Sequence, residues 1–435
     1  MLRARFKFTH SQSPIYSEYL ILLFFNFSFI LFFTMATTTV TATKLEPLAM
    51  TLSNEPGTVG NLTVEEERKL QEAWVHLLRL CGTELDDSEV PSKSKEYWQH
   101  LSNKSPADFK RRLWCFNLAE HPDVTVLRFL RARKWDVENA MTMLLSAINW
   151  REERNLDRDV VYTGESVGLK ASPTADEQGF VSQYRSGKSY VRGTDKEGRP
   201  VYVIRVKLHD PGKQSSQSME TYVLHNIESL RSMATSPKDK VCLIFDLTGF
   251  GLKNMDFHVV KFLVQVFEAR YPETLGIVLI HNAPFVFWGV WSIIKGWLDP
   301  VIASKINFTN KSADLLKFIS KENLQTRYGG QDSWEYSYLE PEKGENDRME
   351  LEEERDGIQA ARDELMARFE QLTVEWTAQS PESETAKAVD LKRRELAAEL
   401  RDNYWKLDPY TRAKTYYHRA GVLTYEGQVD YKAAQ

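Results

Sequence analysis

Cysteine is scarce: Cys81, Cys115 and Cys242 are the only three in 435 residues, too few and too scattered to staple a fold or build a zinc site. Each stands among apolar neighbours and reads as a reduced core thiol. An excess of basic charge is also missing. With 56 Lys and Arg against 61 Asp and Glu the net charge is -5, which excludes a general nucleic-acid binder while leaving local basic pockets open. The H-E-x-x-H metal-helix signature is absent too. Ser186-Gly187-Lys188-Ser189 has the tail of a phosphate-binding loop, but the glycine needed at 182 is Ser182. Gly249 and Gly251 begin a dinucleotide fingerprint that Asn254 breaks. His209, His225, His258 and His281 lack ligand-like spacing and read as structural or surface histidines. No catalytic residue, metal site or cofactor is therefore assigned, and the expectation is a protein that is not an enzyme.

Long apolar runs are confined to the start of the chain. Arg3, Arg5 and Lys7 precede Tyr19 to Phe33, and Met35 follows. Residues 1–34 read as an upstream extension ahead of Met35, a membrane anchor or a signal peptide, although no small-x-small cleavage pattern closes them. The sequons at Asn61, Asn307 and Asn310 matter only for a secreted chain. Residues 35–60 form an aperiodic lead-in.

A helical unit follows over residues 61–155. Thr63 and Glu66 make a capping box ahead of Leu70, Trp74, Leu77, Leu78 and Cys81 at helical spacing. Pro106 opens a second helix, Asp123 caps a third and Asp136 a fourth. Asp86 to Ser105 is a polar insertion in which Tyr97, Trp98 and Leu101 are expected to dock. From about 160 to 335 the pattern changes to short apolar strands alternating with helices, which means α/β layering with mostly parallel strands. Beyond Pro341, residues 345–435 are strongly charged. Leu351, Ile358, Leu365 and Leu372 recur every seven residues, giving a long amphipathic helix, broken at Ser380-Pro381, then a second helix and a third restarting at Asp408-Pro409. Glu354, Arg355 and Arg362 spoil a coiled-coil seam. This hairpin either packs on the body or offers a face to a partner.

The stretch from Lys261 to Lys305 combines an apolar helix, a buried strand at Ile277 to Ile280, and an aromatic segment, Phe285 to Trp297, too short to span a bilayer. Leu127 to Asp136 (LRFLRARKWD), Tyr271-Pro272-Glu273, Asn282 to Phe285, Trp297 to Pro300, Ser304-Lys305-Ile306 and Tyr328-Gly329-Gly330 together resemble the CRAL-TRIO lipid-binding family. The lead-in Gly57 to Leu62 is similar to that of fungal phosphatidylinositol transfer proteins.

The resemblance implies an α/β CRAL-TRIO lipid-binding fold with a helical N-terminal subdomain and, outside the family pattern, a C-terminal helical extension. It implies a deep apolar pocket for one phospholipid, closed by a mobile gating helix. By position Phe285, Phe287, Trp288, Trp291, Ile294 and Trp297 belong to that gate, with plain core packing as the alternative. Glu273 and Lys305 match the carboxylate and amine associated with phosphatidylinositol head groups, and Arg133 matches a basic residue there; surface salt bridges are the alternative. Asp299 either caps the gate or touches the inositol. Val241 and Leu243 stand where members that bind phosphatidylcholine carry hydroxyls, so weak choline-lipid binding is expected, and Ile302 also replaces a hydroxyl residue. The expected activity is non-catalytic phosphatidylinositol binding and transfer. A lipid-sensing adaptor that presents the lipid to a lipid kinase or other lipid enzyme through the C-terminal helices is the second reading. Phosphatidylinositol and membrane surfaces are the expected partners, with no nucleic acid and a monomeric chain. The expected location is cytoplasmic, peripheral on membranes, with endomembrane anchoring through residues 15–33 if the leader is retained.

Overall fold

A capping box, two N1 prolines and an aspartate cap set out the helices of the first half. In the computed structural model, which describes residues 55–85, 104–234 and 237–434, Thr63 and Glu66 bond reciprocally at the start of α1 (Val64–Leu80). The leader, most of the lead-in and Tyr97, Trp98 and Leu101 lie outside the described residues. Pro106 and Pro122, each at a first helical position where a missing N–H costs nothing, start α2 (Pro106–Asn117) and α3 (Pro122–Ala132). Asp136 caps α4 (Val137–Glu153). Asp123 departs from the expectation. His121 is the cap of α3, accepting from the Asp123 amide at 3.1 Å, and the Asp123 carboxylate turns instead into the core.

The α/β half begins with α5 (Ala175–Arg185), followed by β1 (Ser189–Thr194) and β2 (Pro200–Arg205), an antiparallel pair around the Asp195–Arg199 turn. Then come α6 (Ser216–Met233), β3 (Val241–Asp246), α7 (Phe257–Ala269), β4 (Leu275–His281), α8 (Phe287–Ile294), α9 (Pro300–Ser304) and β5 (Ile306–Thr309). The strands stand in the order β1-β2-β3-β4-β5, with β2 to β5 parallel. Because each parallel strand is laid down beside the last and crossovers share one hand, α6, α7 and α8 fall on the same face of the sheet. Alternation then divides the strands. Tyr202, Val241, Leu243 and Val278 face those helices, whereas Val203, Cys242, Ile244 and Leu279 face a second core closed by α10 (Ser312–Leu315) and the chain that follows it.

The C-terminal region is not a detached hairpin. α11 (Glu352–Thr377) and α12 (Glu384–Thr411) lie along one another and share a core with α1 to α4. The buried stripe of α11 is Arg362, Met366, Phe369, Thr373 and Trp376; the heptad leucines are half-buried or, for Leu351, exposed. Arg362, which spoiled the seam, is buried because its guanidinium donates to the carbonyls of Leu400 (2.9 Å) and Leu118 (3.1 Å). Pro409 does not restart a helix either; it sits inside the last turns of α12, and only the short α13 (Tyr416–Arg419) follows. That tail packs on the α/β half through Tyr404, Tyr416 and Tyr417. Of the thiols, Cys242 is core, Cys81 half-buried, and Cys115 exposed on the outer side of α2 between the inward-facing Trp114 and Phe116.

Candidate functional site

The sheet face and the three crossover helices do not close on each other. Between them lies a cavity of about 260 Å³, walled by strand residues such as Val241, Leu243 and Val278 and by α6, α7 and α8. Its lining is overwhelmingly aliphatic and aromatic, because each strand sends every second side chain inward and α7 is apolar around much of its circumference.

The aromatic segment forms one wall in part. Phe287, Trp291 and Ile294 of α8 line the cavity, and Phe287 meets Phe250 edge-on at 5.9 Å. Trp288 points away to Phe308 of β5, with centroids 5.0 Å apart, and Trp297 in a short 3-10 turn packs edge-on against Phe257 of α7 at 6.0 Å. Phe285 belongs to neither the helix nor the pocket. It precedes α8 and is 93% exposed, because the turn after Asn282, itself at φ +53°, carries it off the sheet edge. Val241 and Leu243 both line the cavity, so no hydroxyl is offered from β3.

The charges gather at one end of the sheet, where β4 and β5 begin. Glu273 occupies the turn before β4 at φ +59°, a left-handed conformation rare outside glycine and asparagine. Its carboxylate lies 3.6 Å from the Lys305 ammonium, and both side chains are 18% exposed. This is a loose pair. Burial pulls the Lys305 ammonium below its ordinary pKa, and the Glu273 carboxylate opposes that.

The other two expected head-group residues are placed differently. Asp299 caps α9, accepting from the Ile302 amide at 2.7 Å, while its own amide donates to Glu268 at 2.8 Å. That makes it the cap of the helix after the gate. Arg133 is exposed at the end of α3 and folds back on the Ala132 carbonyl at 3.2 Å. The arginine of that run beside Glu273 is Arg131, the penultimate residue of α3. It donates to the Gly57 carbonyl at 2.7 Å, and burial lowers its pKa against the opposing carboxylates of Asp239 and Glu273. Lys240, ion-paired with Glu55, also acts on Lys305. The three-residue step from Arg128 to Arg131 on α3 was the signal for this inward face, whereas Arg133 already lies past the helix. Arg128 and Asp239 line the same end of the cavity, paired with each other at 3.1 Å, and Arg128 is also held by Glu120.

An apolar cavity between one sheet face and its crossover helices, with a cation–carboxylate pair at the strand starts, defines a class, and sequence comparison agrees. The family described as "CRAL/TRIO domain" matches residues 184–330, and "CRAL/TRIO, N-terminal domain" matches residues 93–146. The chain belongs to the CRAL-TRIO family. It is 33% identical over 439 residues to "Phosphatidylinositol transfer protein CSR1" of Eremothecium gossypii, an alignment covering 86% of this chain and 100% of that one. It is 38% identical over 419 residues to "CRAL-TRIO domain-containing protein C3H8.02" of Schizosaccharomyces pombe, covering 83% and 91%. Both alignments run well past the CRAL/TRIO domain itself, so these relatives share more of the chain than the family core.

Proposed function

We propose that this protein binds phosphatidylinositol, one molecule at a time, and transfers it between membranes without chemical change. The observation that carries the reading is the apolar cavity with Glu273 and Lys305 at one end of its sheet wall. Acyl chains leave a bilayer only if comparable burial replaces it, since each methylene is worth roughly 0.8 kcal/mol. The lining offers that burial. Lys305 is charged, half-desolvated and only loosely paired, so a phosphodiester oxygen gains a strong charge-assisted bond by approaching it, while Glu273 accepts from inositol hydroxyls. The relative from Eremothecium gossypii, named as a phosphatidylinositol transfer protein, supports the same ligand.

In this reading α8 is the gate. It closes the cavity with Phe287, Trp291 and Ile294 and presents Trp288 to a membrane, next to Phe285 in the turn that precedes it. The protein works peripherally at membrane surfaces; no helix among the described residues is long and apolar enough to cross a bilayer. Val241 and Leu243 leave a choline lipid's phosphate without a donor from β3, so exchange of phosphatidylcholine is weak. The adaptor reading gains nothing here, because the inner faces of α11 and α12 are spent in the core.

Mass spectrometry of lipid extracted from the purified protein tests ligand and selectivity together, with phosphatidylinositol expected and phosphatidylcholine minor. Lys305→Ala should then lower phosphatidylinositol transfer between vesicles at least tenfold with the unfolding midpoint nearly unchanged. Wild-type transfer by that variant would remove the head-group assignment.

A further inference from the structure

Lys188, the lysine of the failed phosphate-loop motif, ends up inside the cavity wall. It is 4% exposed, and the cavity it lines is otherwise almost wholly apolar. Its ammonium has three neighbours within hydrogen-bonding reach: the Gln183 side-chain oxygen, His209 Nδ1 at 3.0 Å and the Met219 sulfur at 3.3 Å. It also lies over the Tyr222 ring, 5.6 Å from the centroid. None of these carries a negative charge. Among the described residues no carboxylate comes within 4.0 Å of it; the Asp256 carboxylate, bonded to His209 Nε2 at 3.1 Å, acts on it from beyond that distance and only partly offsets its burial.

A buried cation served only by neutral acceptors is expensive, and a fold keeps it cheaply only if a counter-charge arrives. Burial indeed pulls the ammonium down to about 7, so at neutral pH it is close to losing its proton when the cavity holds no anion. Beside it stand Ser189, Tyr202 and Tyr222, all lining the same cavity. Ser189 Oγ bonds to Tyr202 Oη at 2.6 Å and to Tyr222 Oη at 2.5 Å, and the two tyrosine hydroxyls also act on each other. A ligand oxygen takes a hydroxyl proton from this group in place of one mutual bond. The Met219 thioether is a weak acceptor and is the contact such an oxygen would replace most readily.

Position separates this cluster from the Glu273–Lys305 pair. Lys188 enters β1 level with Arg205, at the far end of β2, on the opposite edge of the sheet from β5. Lys305 lies where β5 begins, four strand spacings away, roughly 19 Å at about 4.8 Å each. One head group cannot sit at both.

We propose that the cavity accepts a second class of ligand, an amphiphile with an anionic oxyacid head, carboxylate or phosphate monoester, seated on Lys188 and the Ser189, Tyr202 and Tyr222 hydroxyls with its chain in the shared apolar volume. This rests on the reading of the cavity as a lipid site and adds a second head-group corner to it. The two ligands compete for one chain space, so phosphatidylinositol and the acid exclude one another.

Native mass spectrometry of the full chain with oleic acid, methyl oleate and dioleoylphosphatidic acid tests the idea. Oleic acid and its methyl ester share a chain and differ in the charge, so wild-type protein should hold the acid at least tenfold tighter. Lys188→Met should abolish that preference, while Lys305→Ala keeps it. Equal retention of acid and ester by wild type would overturn the proposal whether or not the variant folds, and so would an acid preference that survives Lys188→Met. Binding of phosphatidic acid in place of oleic acid, lost in Lys188→Met, would assign the head as phosphate; binding of neither overturns the site. If the protein holds phosphatidylinositol but neither acid, the Lys188 corner alone fails; if it holds none of these lipids, the lipid-site reading fails with it.

Discussion

The contact between the C-terminal helices and the helical unit, and the seating of α8 over the cavity, are both rich in aromatics, yet they are made differently. The first is locked by directional bonds. Arg393, 0% exposed, donates to both oxygens of Asp123 at 3.1 and 2.7 Å and to the Thr373 hydroxyl at 3.0 Å, and stands 4.1 Å over the Trp376 ring. Trp74 Nε1 donates to the same Asp123 at 2.6 Å, and Glu370 is held by Trp114 at 2.9 Å and Lys110 at 2.6 Å. At α8 no such bond exists. Among the described residues no side chain of that helix is hydrogen-bonded or ion-paired to another element, and its contacts are apolar walls and ring edges. Dispersion and burial hold without direction, so a helix seated that way separates from its seat without stranding a buried polar group. One side of the molecule is fastened and the other is only closed.

Breaking the fastened side should produce the largest effect. Arg393→Ala leaves the Asp123 carboxylate buried without its cation, which costs about 3–5 kcal/mol. The full chain should unfold at much lower urea concentration, as followed by far-UV circular dichroism, and the combined Arg393→Met and Asp123→Leu change should recover part of that loss. A small effect of the single change would mean that the C-terminal helices are as loosely held as α8.

Acid should loosen the C-terminal region at its other contact, where the tail packs on the α/β half. His225 on α6, bonded through Nδ1 to the Tyr184 hydroxyl at 2.5 Å, is buried among the charges of Arg412 and Arg419 from the C-terminal tail, and burial foremost pulls its imidazole down to about 3. His418 is likewise pulled down to about 4 by burial. Both native pKa values lie below the unfolded value of about 6.5, so between those limits the unfolded chain binds protons that the native chain refuses. Their stabilising contribution is complete above pH 6.5 and is lost as pH falls toward 4 and 3, on the order of a few kcal/mol in all. Urea midpoints measured from pH 7 to pH 4 should fall steeply, and His225→Leu should make that fall shallower. α8 contains no titratable side chain, so its seating has no such dependence of its own.

The contrast also explains what could be read before the structure. Most helix starts, the alternation of strands with helices and the cavity wall followed from local rules: Thr63 with Glu66, prolines at N1, and alternation at Val241 and Leu243 act over a few residues. The Glu273–Lys305 pair was legible because the family resemblance spans both its turns. What escaped was decided by partners far along the chain. Asp123 reads as a cap until Arg393, 270 residues later, takes its carboxylate. Arg362 reads as a flaw in a seam until two backbone carbonyls, Leu400 and Leu118, account for its burial. Arg133 and Arg131 differ only in where α3 ends, and helix ends are poorly marked by sequence. Lys188 reads as a broken motif because nothing local says that β1 turns it inward.

The smallest expected effect on stability is also the sharpest test of the closed side. Phe285 and Phe287 are two residues apart, identical in chemistry and opposite in setting, one 93% exposed and the other buried against Phe250. Phe285→Ser removes no packing, so the urea midpoint should move by no more than about 0.5 kcal/mol equivalent. If α8 is the face that meets the membrane, that ring is worth about 1.5–3 kcal/mol when it enters lipid, and affinity for phosphatidylinositol-containing vesicles in a flotation assay should drop roughly tenfold or more. Phe287→Ser should do the reverse, sparing vesicle binding while weakening retention of bound lipid, because the side chain it truncates seals the cavity. Equal losses of vesicle binding in both variants would mean that α8 acts as a rigid part of the wall, and the distinction between a fastened side and a closed one would not hold at this helix.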